Sequence, residues 1–305
     1  MNSRLKKARA FAPGHITGLF EIHDGHADPL YRGSVGAGFS VTAGTATTVT
    51  VEQQATREII VEYNDEIIHA PVTRTVVERL LSQHNRNMKV RVQHESALPI
   101  GVGFGASGAG ALSTAISLGH ILNNDLTLEE AARYAHYAEV TNHTGLGDVL
   151  AQVAGGFEIR LKPGAPGVGE IMNISSAHMP HVVLAGATGL ETKNFLTDMS
   201  WRARINEVGG ALAKRVMSNP TVETFVACSR EFANETGLMT ERVESALADL
   251  SSRGFGASSM VMLGDSVFCF CAKSDTALAV KILSDHWKSS EIMSTSIANQ
   301  GGRLV

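Results

Sequence analysis

The segment that most restricts this chain is Leu98-Pro99-Ile100-Gly101-Val102-Gly103-Phe104-Gly105-Ala106-Ser107-Gly108, continued by the small-residue run Ala109-Gly110-Ala111-Leu112. Upstream, Lys89–His94 alternates as a half-buried strand does. Downstream, Ser107–Leu122 has the small and apolar character of a closely packed helix. The order is therefore strand, glycine turn, helix. Alternating glycines let the backbone take positive φ and approach a ligand closely. The first N–H groups of the following helix lack intrahelical acceptors and point into the loop, where an anion such as phosphate is the favoured guest. Ser107 adds a hydroxyl for a phosphate oxygen or a metal ion. The plain alternative is a glycine turn that serves only tight strand-to-helix packing.

Two common phosphate loops fail against these residues. A Walker-type loop requires Lys before Ser or Thr, and no lysine follows Gly105. The dinucleotide fingerprint fits loosely at Gly101, Gly103 and Ala106, but it needs an acidic residue ending a second strand about 20 positions on. Asp125 has the spacing yet leads directly into another helix, which argues against that fold.

With 305 residues, 44% of them apolar, the chain is long enough for one large or two ordinary cored domains. A net charge of −4 gives no electrostatic footprint for nucleic acid. No apolar run reaches membrane-spanning length, and the basic start Met1–Arg9 lacks the apolar core of a signal peptide. Cys228, Cys269 and Cys271 have no zinc-like spacing and read as reduced core thiols, which points to the cytoplasm.

Along the chain, strands are expected at Ala8–Ala12, Phe39–Gln53, Ile59–Tyr63 and Ile67–His69, with a Gly- and His-rich stretch running up to Gly38. A helix is expected at Thr73–Gln83, and the capping box Thr127–Glu130 opens another that runs to about Asn142. Lys162–Gly169 is the best linker candidate. Beyond it, His181–Ala187 and Thr192–Thr197 precede helices at about 199–217, 221–236 and 240–252. Strands at 259–263 and 267–272, a helix at 275–289 and a last strand at 291–297 complete the reading. Strands mixed with helices without strict alternation indicate an α+β protein in both halves.

Glu139 and Asp148 are the candidate carboxylates. Glu139 also reads as a solvated helix residue, and Asp148 as the N-cap of a short helix Val149–Ala154. Glycines on both sides of Leu146 favour a special turn at Asp148. Pro99, Gly103, Phe104, Gly105 and Ser107 match the second motif of the GHMP kinases. Pro13 and Gly14, in Phe11-Ala-Pro-Gly-His15-Ile-Thr-Gly18, resemble the first motif, with His15 standing where those kinases often carry Lys or Arg. Gly254-Phe-Gly256-Ala-Ser258-Ser259-Met-Val-Met-Leu-Gly264 resembles the third.

That resemblance implies an ATP- and Mg²⁺-dependent kinase of small hydroxyl-bearing metabolites. It implies two units, an N-terminal ribosomal protein S5 domain 2-like unit over 1–168 and a C-terminal ferredoxin-like unit over 169–305, and a homodimer. Carried over, Pro99, Gly101, Gly103, Gly105, Ala106, Ser107 and Gly108 hold ATP. Ser107 and Glu139 hold Mg²⁺ between phosphates, and Asp148 accepts or orients the proton of the attacking hydroxyl, in chemistry that depends mostly on positioning and charge neutralisation. Pro13–Glu21, Gly33–Gly38, Lys193–Leu196, Ile205–Asn206, Phe232–Leu238 and Gly254–Gly264 resemble the archaeal pantoate kinases, a branch of that family. The implied substrate is a small hydroxy acid whose carboxylate needs a cationic partner. Arg160 is the best-placed arginine and His15 a second substrate candidate. Homoserine, shikimate or mevalonate as acceptor, and a silent nucleotide-binding relative, are the alternatives. His23, Asp24, His26 and Asp28 crowd one loop without a metal-site spacing and read as a polar loop.

Overall fold

The computed structural model describes residues 5–122, 126–174, 181–188, 199–262 and 264–305. The expected strand at Thr192–Thr197 and the run Lys193–Leu196 lie outside them, as does Asp125.

Two sheets organise the described residues. The first holds β1 (Lys6–His23), β2 (Gly33–Gln53), β3 (Glu58–Tyr63), β4 (Glu66–Ile67), β5 (Met88–Ser96), β6 (Phe157–Lys162), β7 (Glu170–Ile174) and, returning from the far end of the chain, β12 (Arg303–Leu304). Its main path runs β12-β1-β2-β5-β3-β4, and β6 joins β2 on one side and β7 on the other. All its pairings are antiparallel except β3 with β5. Four helices belong to it: α1 (Pro71–Gln83), α2 (Ala106–Leu122), α3 (Leu128–Asn142) and α4 (Asp148–Ala154). The second sheet has the order β11-β8-β10-β9, from β8 (His181–Ala187), β9 (Ser258–Met260), β10 (Asp265–Cys271) and β11 (Ile292–Ser296). Around it lie α5 (Met199–Ser218), α6 (Val222–Thr236), α7 (Glu241–Ser252) and α8 (Thr276–Leu283). Both halves are mixed α+β, as the pattern of elements predicts.

Three differences from the sequence reading have physical causes. β1 and β2 extend far beyond the expected segments and pair from Lys6↔Val51 to His23↔Gly33. Their glycine-rich halves are buried on both faces, so the polar–apolar alternation that marks a strand is missing there. β1 stays in the ladder through register shifts at Pro13/Gly14 and Thr17/Leu19, the irregularities that absorb a proline. Lys162–Gly169 is not a linker. It joins β6 to β7, antiparallel neighbours in one sheet, and Ala165 is buried with its N–H donating to the Leu30 carbonyl. The expected helix at 275–289 ends at Leu283 and gives way to turns. By contrast, the capping box of α3 forms as read: the Glu130 N–H donates to Thr127 Oγ1, and the Thr127 N–H to Glu130 Oε2.

Phe39 ties the two sheets together. On β2 it meets Phe157 of β6, Phe225 of α6, and Phe268 and Phe270 of β10 at centroid distances of 5.5, 6.0, 5.3 and 4.9 Å. Such offset and edge contacts add to the burial of large apolar surface. α5 approaches the back of β1 so closely that a Cβ on Gly209 would lie 2.0 Å from the Phe20 carbonyl oxygen. Gly209→Ala is therefore expected to destabilise by about 1–3 kcal/mol in urea unfolding, as overpacking does. Gly25→Ala, with nothing within 4 Å of the new methyl group, is the control and is expected to shift stability by less than about 0.5 kcal/mol. Equal shifts in the two variants would show that the α5–β1 contact yields freely.

Candidate active site

The glycine loop takes the conformation that its composition anticipates. Gly101, Gly103 and Gly105 have φ of +79°, +83° and +69°, and α2 starts immediately afterwards at Ala106. The loop is held from two sides. Gln152 of α4 donates from Nε2 to the Gly105 carbonyl (2.9 Å) and to the Pro13 carbonyl (3.0 Å). From the second sheet, Ser266 Oγ donates to the Val102 carbonyl (2.8 Å), and a Cβ on Gly103 would lie 3.0 Å from Val261 Cγ1. The terminal glycine–serine motif therefore packs against the loop, with Ser258 and Ser259 buried in β9 just behind it. Leu263 lies outside the described residues.

A cleft of about 800 Å³ opens in front of the loop. The glycine turn and the start of α2 form one wall, with Pro99, Gly101, Gly103, Gly105, Ala106, Ser107 and Gly108 all lining it. Tyr63, Ile68, Pro71 and Val72 line one end; Thr17, Ser34, Asp148 and Arg160 line the other. Such a size and mix suits a small-molecule site with a few convergent polar groups.

Glu139 comes from the last turns of α3 and is 3% exposed; Ser107 donates its hydroxyl to Glu139 Oε1 at 2.5 Å. No salt bridge reaches this carboxylate among the described residues. Burial, with the neighbouring Asp148 charge as a smaller contribution, pushes its pKa up to about 7. A Cβ on Gly145 would fall 2.3 Å from Glu139 Oε2 and 2.7 Å from Asp148 Oδ2, so the two carboxylates converge where only a glycine fits between them.

Asp148 begins α4, with Gly147 at the N-cap position, so it sits inside the first turn and is not itself the cap. Its side chain is a quarter exposed. Burial alone would raise its pKa, but His15, by hydrogen bond and by charge, holds it below the ordinary carboxylate range. Asp148 Oδ1 lies 2.7 Å from His15 Nδ1, and His15 Nε2 lies 2.9 Å from Glu158 Oε1. Arg160 Nη1 donates to that same Glu158 oxygen at 2.6 Å. Four charged or chargeable side chains thus form a connected row whose two ends, Asp148 and Arg160, line the cleft and whose middle members, His15 and Glu158, are buried beneath it.

The structure places one expected substrate residue away from the cleft surface. His15 is completely buried, spends both ring nitrogens on carboxylates and is not among the residues lining the cleft. Arg160 does line it. Although fully buried on β6, Arg160 keeps Nε and Nη2 without hydrogen-bond partners among the described residues. These two nitrogens lie against glycines: a Cβ on Gly147 would meet Arg160 Nε at 2.6 Å and Ser34 Oγ at 2.5 Å, and a Cβ on Gly36 would meet Arg160 Nη2 at 3.1 Å. Glu158, Gln152 and Ser34 escaped the sequence reading. For Glu158 a signal existed, because Phe157-Glu-Ile-Arg160 places two opposite charges in a strand whose first four residues are all buried. Gln152 and Ser34 have no such mark. The polar loop carries no metal cluster: Asp24 forms a two-pronged pair with Arg202 (2.6 and 3.0 Å), and Asp28 caps a turn. No group of three or more His, Cys, Asp or Glu among the described residues is arranged to hold a metal ion.

A raised carboxyl pKa has a stability consequence of known sign. The folded state holds the Glu139 proton from the unfolded value of 4.5 up to about 7, so stability declines across that window. Above pH 7 the charged, buried carboxylate costs about 3 kcal/mol at roughly 1.4 kcal/mol per pKa unit. Glu139→Gln is therefore expected to raise the melting temperature of the ligand-free protein by a few degrees at pH 8, with the gain shrinking toward pH 5. A gain independent of pH would remove charge burial as the cause.

Comparisons with known proteins place this site in a family. Residues 71–156 match the GHMP kinases N terminal domain. The pantoate kinase of Methanocaldococcus jannaschii is 37% identical over 273 residues, which cover 90% of this chain and 96% of that protein. The pantoate kinase of Thermococcus kodakarensis is 34% identical over 281 residues, covering 91% and 92%. A solved structure described as a phosphotransferase related to the CoA biosynthesis pathway superposes with a TM-score of 0.88 at 31% identity, over 98% of this chain and 99% of that one. The two-unit GHMP fold is thus the fold of this chain, which belongs to the pantoate kinases of the GHMP kinase family.

Proposed function

We propose that this chain transfers a phosphoryl group from ATP to the primary hydroxyl of pantoate, forming 4-phosphopantoate for coenzyme A synthesis. The observation that carries the reading is the far end of the cleft. There Asp148 and Arg160 line the same cleft as the glycine loop, and Arg160 carries two buried N–H groups without hydrogen-bond partners among the described residues. A hydroxyl acid needs both groups: a cation for its carboxylate and a base for its hydroxyl. Arg160 offers two free N–H donors in the planar fork that suits a carboxylate. Asp148, kept ionised by His15, is placed to accept the hydroxyl proton.

The phosphates lie against the glycine loop and the open N–H groups of the first turn of α2. The Ser107 hydroxyl and the buried Glu139 carboxylate suit a Mg²⁺ ion: both are hard oxygen donors, and Glu139 is a buried carboxylate with no cationic partner among the described residues. Ser107 and Glu139 would be the protein's ligands to the ion, which when bound would supply charge neutralisation for phosphoryl transfer. No described helix is long and apolar enough to cross a membrane, and the three buried cysteines are unpaired, which suits the reducing cytoplasm. A homodimer is the expected assembly.

An ADP-release assay across pantoate, homoserine, shikimate and mevalonate tests the reading. Turnover with pantoate is expected to exceed that with the others, and preference for another acceptor would reassign the substrate. Asp148→Ala is expected to lower kcat by about 10²–10⁴ while ATP binding survives. Arg160→Lys, which keeps a charge beside Glu158 but loses the planar fork, is expected to raise KM for pantoate about 10–100-fold. KM for ATP should change little; a shift confined to ATP would move Arg160 out of the acceptor site.

A further inference from the structure

We propose that His15 is a positioning residue, an imidazole protonated on both nitrogens that aims Asp148 at the acceptor hydroxyl and locks it to the phosphate loop. The proposal rests on the pantoate kinase reading for the identity of the hydroxyl, but its geometric basis is independent of it. Both ring nitrogens face carboxylate oxygens, Asp148 Oδ1 at 2.7 Å and Glu158 Oε1 at 2.9 Å. A carboxylate only accepts hydrogen bonds, so both nitrogens must donate, and only the imidazolium has two N–H groups. The neutral ring would turn a lone pair onto a buried carboxylate.

The surroundings support a fixed cation. The charged groups facing His15 are Asp148 from α4 and Glu158 from β6, with Arg160 and Glu139 one step further out. Opposite it, β2 contributes the uncharged Gly38 and Ser40, and α4 adds the neutral Gln152. A Cβ on Gly38 would lie 2.6 Å from His15 Nε2 and 2.8 Å from Glu158 Oε1, so the strand leaves room for this pair. Three carboxylates thus share a buried region with Arg160, and a second cation relieves their repulsion. Burial opposes the proton, yet Glu158 and Asp148 outweigh it and raise the His15 pKa to about 9.

His15 also joins the two substrate ends of the cleft. Its backbone N–H donates to the Phe104 carbonyl at 3.1 Å, and a Cβ on Gly105 would lie 2.8 Å from His15 N. Its main chain is therefore docked on the phosphate loop while its side chain holds the carboxylate at the acceptor end. Glu158 extends the line to Arg160. One residue sets the spacing between phosphate cradle, base and substrate cation.

The test combines a spectroscopic and a kinetic measurement. ¹⁵N-histidine NMR on the ligand-free protein is expected to show a side chain protonated on both nitrogens at pH 7.5 that titrates near pH 9. It is identified by its loss in His15→Gln or its shift in Asp148→Asn. A neutral tautomer for that signal at pH 7.5, or the absence of any doubly protonated histidine in the wild-type spectrum at that pH, overturns the proposal. In ADP-release assays from pH 6 to 10, His15→Gln is expected to lower kcat about 10–100-fold, with both KM values within about threefold. It should also lose the alkaline limb. His15→Lys, a permanent cation, is expected to recover part of kcat and to move that limb upward. Wild-type kcat in His15→Gln, or a fall in kcat for both variants with the wild-type pH profile, assigns His15 to structure alone. Should the wild-type protein show the imidazolium yet release no ADP with pantoate, the substrate reading fails and the charge assignment stands.

Discussion

Everything at the active site depends on a row of buried charges that neutralise one another. Asp148, His15, Glu158 and Arg160 stand in hydrogen-bond contact, and three of the four side chains are essentially sealed from water. Burying one such charge alone costs several kcal/mol, and removing one member leaves its neighbour unpaired. The row therefore persists only if three separate segments are held in register: the first motif on β1, the start of α4, and two positions on β6. The long ladder of β1 with β2, and of β2 with β6, supplies that register. Stability of the sheet and geometry of the site are the same requirement here.

The second constraint is steric. The glycine loop is gripped between the two halves of the fold, by Gln152 from the first and by Ser266 and the Val261 region from the second. Phe39 and its aromatic neighbours join the same halves on the far side of β2. The glycines at 103, 105, 108 and 145 lie where chain segments or carboxylates nearly touch, and each side chain added there would push apart groups that must converge. Glu139 shows the cost of such convergence, since its charge is buried with no cationic partner among the described residues. A divalent cation bound there would turn that unfavourable charge into affinity.

Much of the site was legible because its chemistry is local. The loop from Pro99 to Gly108 announces itself through alternating glycines before a helix, a pattern set by φ requirements that any sequence reader can apply. The helix boundaries of α2 and α3 followed from small-residue packing and a capping box. The long strands were read short, because burial on both faces erases alternation, and β12 was missed because two residues carry no periodicity. Glu158 and Gln152 stayed hidden for a different reason. Their partners lie 143 and 139 positions away on β1, and nothing local marks a residue whose role is a distant contact.

His15 shows where the boundary falls. The sequence alone determined that a glycine loop runs into α2 and that a Pro-Gly-His segment stands near the start of the chain, which follow from residue type, spacing and short-range backbone rules. The kinase roles proposed for Ser107, Glu139, Asp148 and Arg160 come from the resemblance of the motifs and not from those rules. Only the tertiary structure decided that His15 lies buried between two carboxylates, that Arg160 keeps Nε and Nη2 without hydrogen-bond partners among the described residues, and that Glu158 links them. Desolvation and Coulomb interaction depend on distance through the folded protein and not along the chain, so the charge states that make these residues functional exist only once β1, α4 and β6 have come together.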